Sequence, residues 1–276
     1  MSSTRTNQAH SVVKKFLTCA LVALAMGAAQ ASPLLPAPPE LAARAWLLVD
    51  SHTGTVLAEN EADLPLPPAS LAKMMTSYIV SAEIEAGRLS EQELVRVSDD
   101  AWERGGAKTD GSTMFLEPRS KVAVIDLMRG VIIQSGNDAS VAIAEHVAGS
   151  EGAFVDLMNS WAASLNLENT HFANAHGLDA EDLYSTPYDI ALLGRAIIRD
   201  LPDVYGLYSE RSFSYNGITQ HNRNGLLRDR SLNVDGMKTG YTSGAGYSLA
   251  SSATQGEMRL IAVVMGSSSV KGRESD

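Results

Sequence analysis

The strand-forming segments of this chain sit at its two ends, and the helix-forming segments lie between them. Residues 45–60, AWLLVDSHTGTVLAEN, give an apolar strand, a turn at His52-Thr53-Gly54 and a second strand through Val56 and Leu57. That is the pattern of a β-hairpin. The last third holds VDGMKTGYT, GYSLASSAT and MRLIAVVMG, the final two joined by a short polar turn at Gln255-Gly256. This order predicts an α+β fold: an antiparallel sheet whose first and last strands are neighbours, with the intervening helices packed on it.

Four helices are expected in the middle. VAVIDLMRGVIIQ ends at Ser135-Gly136, and DASVAIAEHVAG follows with Ala139, Ala142, Ile143, His146 and Val147 on one face and Gly149 as its stop. FVDLMNSWAASLNL is a third, and STPYDIALLGRAIIRD a fourth with Thr186 as N-cap and Pro187 at the first helical position, a preferred pairing at helix starts. LVRVS and STMFL read as short strands or extended pieces, and SFSYNG as strand-like.

The first 31 residues have another purpose. Arg5, Lys14 and Lys15 precede the apolar run FLTCALVALAMGAAQA, which closes on Ala29-Gln30-Ala31. This is the layout of a secretory signal, too short and too rich in Ala for a membrane span. Cleavage after Ala31 is expected to leave residues 32–276 as one domain in the periplasm, beginning with the Pro-rich lead-in SPLLPAPPE. It removes Cys19, the only cysteine, and shifts the net charge from −10 to −13 by the loss of three cations. No disulfide is then available, and so acidic a chain is a poor partner for nucleic acid.

Three short motifs carry candidate chemistry. In PPASLAKMMTSYIV, Ser70 and Lys73 lie one helical turn apart among Leu and Met, with no acidic residue in the stretch. A dry Lys has its pKa pulled toward that of a neutral amine, able to take a proton from the hydroxyl beside it. In QSGNDAS, Ser135 and Asn137 stand between two apolar helices, where Ser-Gly-Asn also serves simply as a turn. In DGMKTGYT, Lys238 and Thr239 offer a cation and a hydroxyl to a carboxylate, and Gly240 lets a substrate backbone approach the strand. The backbone N–H groups of Ser70 and Tyr241 would face a developing oxyanion.

Each motif alone is weak; Ser-x-x-Lys arises by chance about once per few hundred residues. Together, and in this order, they are the motif set of serine β-lactamases and penicillin-binding proteins. The segments PASLAKMMT, STMFLEP, GVIIQSGNDASVAIAEHVAGSE, NTHFANAHGLD, HNRNGLL and VDGMKTGYTSGAGYSLASSAT extend the likeness from Ala45 to the last residue. The chain resembles the low-molecular-mass penicillin-binding proteins, D-alanyl-D-alanine carboxypeptidases of the DacA/DacC type in peptidase family S11.

The resemblance implies a five-stranded antiparallel sheet with helices on both faces, the transpeptidase fold of penicillin-binding proteins and serine β-lactamases. It implies Ser70 as the acylated nucleophile, Lys73 as its base, and Ser135 with Asn137 as the second catalytic pair. Lys238, Thr239, Gly240 and Tyr241 would bind substrate, and Arg273 in KGRES would meet its terminal carboxylate. Arg223, His176 and Asp189 also match family positions, as scaffold or cleft-shaping residues outside the chemistry. The implied partners are peptidoglycan stem peptides ending in D-Ala-D-Ala, with β-lactams as covalent inhibitors. Relatives often carry His after Lys-Thr-Gly where this chain has Tyr241, a difference that bears on acyl-enzyme breakdown. They also continue into a β-rich domain and an amphipathic membrane anchor. Membrane contact is therefore expected only through a C-terminal anchor that these residues do not contain.

Two rivals make different demands. A serine β-lactamase of this fold would need a Glu to activate water, and no Glu-x-x-Leu-Asn occurs between Asn166 and Ser185. A non-catalytic module that binds muropeptides or β-lactams would not need every catalytic residue, and all are present. No metal or other cofactor is expected: His171 and His176 have no Cys or acidic cluster at ligand spacing, and His146 lies on an apolar helix face.

Overall fold

A computed structural model describes residues 38–109 and 111–276; the expected signal segment lies outside them. The N-terminal hairpin forms as expected, β1 (Ala45–Asp50) against β2 (Val56–Asn60). At the other end come β7 (Val234–Thr242), β8 (Gly246–Gln255) and β9 (Met258–Ser267). All five join in one antiparallel sheet of order β2-β1-β9-β8-β7, with the first strand paired to the last, Leu47 opposite Val263. Alternation sorts the side chains. Leu47, Ala250, Ile261 and Val263 enter the main core, while Leu48, Leu249, Ala262 and Val264 line the opposite face.

Between the hairpins run α1 (Lys73–Glu85), α2 (Val124–Arg129), α3 (Asn137–Ala148), α4 (Glu151–Ser164) and α5 (Pro187–Asp200). α5 packs on the core face of β1 and β9. Its start is held as the sequence suggests: Thr186 Oγ1 accepts from the Asp189 N–H at 3.1 Å, a cap worth about 1 kcal/mol. A last helix, α6 (Val270–Ser275), packs against β8 and β9 beside the second face, so helices cover both sides. α1 is buried on nearly all sides from Lys73 to Ser81, and each buried Leu, Ile or Met there contributes roughly 1.5–3 kcal/mol.

One local expectation is corrected, and two are made definite. Val122 and Ala123 belong not to a helix but to strand β4 (Lys121–Ala123), which pairs with β3 (Leu94–Arg96); helix begins only at Val124, and its last turn, Gly130–Gln134, widens to π geometry. Of the two forms open to STMFL, it does not take that of a paired strand: the N–H groups of Met114 and Leu116 donate to the Asp138 carboxylate. SFSYNG does form β5 (Ser212–Tyr215), but in a separate hairpin with β6 (Ile218–His221) outside the main sheet.

Candidate active site

The chain enters α1 through a 3-10 turn, Ala69–Ala72, that carries Ser70. Ala69 is held at φ +49°, a left-handed conformation that non-Gly residues adopt at a cost and that concentrates at functional sites. Lys73 follows one turn on, with its side chain buried among Leu71, Met74 and Met75. Its Nζ donates to Ser70 Oγ at 3.1 Å, to Asn137 Oδ1 at 2.7 Å and to the main-chain carbonyl of His176. Burial brings the amine down to about 7; the Asp138 carboxylate opposes this and Arg223 adds to it. Near neutral pH a substantial fraction of the amine is thus able to accept a proton.

Ser135 follows the π turn in a left-handed conformation, φ +67°. That kink lets Asn137 open α3 with its N–H on Ser112 O at 2.8 Å and its Oδ1 on Lys73. Ser135 Oγ and Asn137 Nδ2 are buried without a hydrogen-bond partner among the described residues, as is Arg273 Nε. Buried donors are rarely left unmet, so these three atoms mark where a polar ligand group would sit.

The third motif lies on β7 against the Ser70 turn. Gly240 fits a tight approach: a Cβ there would stand 3.0 Å from Pro68 O and 3.3 Å from Ser70 N, crowding the Ser70 turn. Lys238 is buried, and its amine donates to Thr239 O at 3.2 Å. Burial pushes its amine well down, and the cations Lys73, Arg223 and Arg273 push the same way. Thr239 is buried beside it, whereas the Tyr241 ring is 53% exposed. Arg273, from α6, is buried and donates to Gly240 O at 3.3 Å. The guanidiniums of Arg223 and Arg273 thus lie near the buried amines of Lys73 and Lys238 in a chain of net charge −10, a local field that attracts a carboxylate.

Two participants escape sequence reasoning. Asp138 is buried and accepts from Thr113 Oγ1 and from the N–H groups of Met114, Leu116 and Ala139. It thereby ties residues 113–116 to the Ser-Gly-Asn turn and puts negative charge near Lys73. The only available signal was an acidic residue inside an apolar helix pattern. The second is the His176 carbonyl, and a backbone acceptor leaves no sequence mark. The His176 ring does not supply charge: burial and Lys73 bring it down to about 3. Asp189, in the first turn of α5, accepts from the Asn169 N–H and the Thr170 hydroxyl, and Arg223 braces Gln134 O. His146 is exposed and meets Glu93 at 2.9 Å, and among the described residues no group of His, Cys, Asp and Glu could hold a metal ion.

A hydroxyl beside a near-neutral amine, facing a cationic wall, is an arrangement suited to acyl transfer from a substrate bearing a carboxylate. The comparisons agree. Residues 32–269 match the peptidase S11 family, described as D-alanyl-D-alanine carboxypeptidase. The chain is 51% identical over 266 residues to D-alanyl-D-alanine carboxypeptidase DacA of Escherichia coli K12, covering 94% of this chain and 66% of that protein. Among solved structures, penicillin binding protein 5 from Haemophilus influenzae is 48% identical, with a TM-score of 0.84 over 86% of this chain and 69% of that one. Penicillin binding protein 6B from Escherichia coli is 49% identical, with a TM-score of 0.84 over 88% and 77%. The chain spans just under two thirds of the length of that DacA relative. Over nearly its whole length, in fold and in motif order, it belongs to the D-alanyl-D-alanine carboxypeptidase family, peptidase S11.

Proposed function

We propose that this chain is a serine-type D-Ala-D-Ala carboxypeptidase that removes the terminal D-Ala from peptidoglycan stem peptides and is acylated by penicillin. The observation that carries the reading is Lys73, buried, near-neutral and within 3.1 Å of Ser70 Oγ. Ser70 Oγ attacks the carbonyl of the penultimate D-Ala as its proton passes to Lys73. The N–H groups of Ser70 and Tyr241 hold the oxyanion. The C–N bond to the terminal D-Ala breaks, and the proton reaches the departing amine through Ser135, with Asn137 orienting Lys73. Water then cleaves the Ser70 ester, returning the hydroxyl and releasing the shortened peptide. Lys238, Thr239 and Arg273 receive the terminal carboxylate, and Gly240 lets the peptide lie along β7.

Such a substrate lies outside the cytoplasm, which fits the expected export of the chain to the periplasm. Among the described residues no helix is long and apolar enough to cross a membrane. The test is D-Ala release from diacetyl-Lys-D-Ala-D-Ala, with mass spectrometry after penicillin, for wild type and Ser70→Ala. Release, and a lasting adduct on the Ser70 peptide, both lost in the variant, are expected. Rapid penicillin turnover without D-Ala release would instead make it a β-lactamase. Neither adduct nor turnover would leave a binding module.

A further inference from the structure

Arg273 is buried, yet no carboxylate lies within ion-pairing distance of it among the described residues. Its neighbour Glu274 is turned to the N–H of Gly225. What touches the guanidinium is the Gly240 carbonyl at 3.3 Å and the face of Tyr247, with the ring centroid 5.7 Å from its central carbon. A guanidinium has five N–H donors, and these contacts leave most of them, Nε included, without a partner. Tyr247 is itself fixed. It stands opposite Tyr241 in the β7–β8 pairing, and the two rings stack at 4.3 Å and 30°. The acceptor Gly240 packs directly on the Ser70 turn. The cation is therefore held on a carbonyl of the strand residue that packs against the nucleophile's turn.

We infer that Tyr247, buttressed by Tyr241, is a positioning residue that holds the Arg273 guanidinium ready for a ligand carboxylate. Arg carries a large rotamer entropy, which is lost again each time it must be ordered on a ligand. The ring face attracts the cation while competing for none of the in-plane donors a carboxylate needs. An acidic side chain in the same place would order Arg273 equally well but neutralise it. An aromatic face leaves the charge free. The inference rests on the carboxypeptidase reading only for the origin of the carboxylate, since the penicillin carboxylate tests the same contact.

The test compares second-order acylation by benzylpenicillin and by its methyl ester, which masks the carboxylate. Tyr247→Leu should slow the acid roughly five- to tenfold, from the loss of one cation–π contact, and the ester less than twofold. Tyr247→Phe keeps the ring and should restore the acid rate. With diacetyl-Lys-D-Ala-D-Ala, Tyr247→Leu should raise KM and spare kcat. Equal losses on acid and ester, no loss at all, or a wild type without preference for the acid would overturn the assignment. A wild type that acylates but releases no D-Ala would overturn the functional reading alone, leaving the acid-to-ester ratio to decide the role of Tyr247.

Discussion

Lys73 Nζ lies 3.1 Å from Ser70 Oγ, and burial brings the amine to about 7 from an ordinary 10.5. The neutral amine is the form that accepts the serine proton, so acylation should rise with pH and reach half its plateau near 7. Below that point the rate should fall about tenfold per pH unit, in proportion to the neutral fraction. Single-turnover acylation by penicillin across pH 5–9 measures this. Lys73→Arg, which stays charged, should lose roughly 10²–10⁴-fold at every pH. A limb near 10 in the wild type would mean that the amine is not dry.

Asp138 should set where that limb falls. Its carboxylate raises the Lys73 pKa against the effect of burial. Asp138→Asn removes the charge, so the amine becomes neutral at lower pH and the acid limb moves down. The same change turns an NH₂ group toward donors that now bond Oδ2, the hydroxyl of Thr113 and the N–H of Leu116. Leaving such groups unmatched costs about 1–3 kcal/mol, a drop in thermal midpoint of roughly 2–10 °C for a domain of this size. The pH profile and a melting curve read the two effects separately.

Lys238 offers the opposite trade. Folding buries its amine without a carboxylate partner, and its pKa falls well below 10.5. The unfolded chain therefore binds more protons between the depressed value and 10.5, and the folded state gains stability as pH climbs through that window. The penalty is fully present below the window. Lys238→Met should accordingly raise stability at neutral pH by roughly 1–2 kcal/mol, as removal of functional strain often does. The advantage should shrink as pH approaches 10, while penicillin acylation is lost. Melting curves of both proteins at pH 7 and pH 10 decide it.

These effects also show what the sequence could reveal. β-patterned runs at the two ends are enough to place β1 beside β9, because alternation fixes which face of each strand is buried. The Ser70–Lys73 pair was legible because a Lys without an acid in an apolar stretch has few fates. STMFL looked like a strand because Met114, Phe115 and Leu116 suit one. What claims its N–H groups is a single carboxylate more than twenty positions away, at Asp138, and local patterning carries no trace of so distant a partner. The hold of the His176 carbonyl on Lys73 is hidden for a different reason, since every residue has a carbonyl and only the fold selects one.

Two glycines of nearly equal backbone conformation separate local strain from site geometry. Gly149, the stop after α3, has φ +83° and nothing within 4 Å of where a Cβ would be. Gly177 has φ +86°, but there a Cβ would come within 1.9 Å of Ala69 O, with Ser70 N at 3.1 Å. Gly149→Ala should cost only the left-handed conformation, about 1–2 kcal/mol, and leave acylation unchanged. Gly177→Ala must also push its own segment away from the Ser70 turn. That segment includes the His176 carbonyl that holds Lys73, so nucleophile and base are displaced relative to each other, and misplacement by about 1 Å can cost on the order of 10²-fold in rate. Acylation rates and melting midpoints of both variants should show matching conformational costs with an added stability loss at 177, and a rate loss at 177 alone. Equal acylation in the two variants would mean that the close approach of Gly177 to Ala69 has no part in aligning the site.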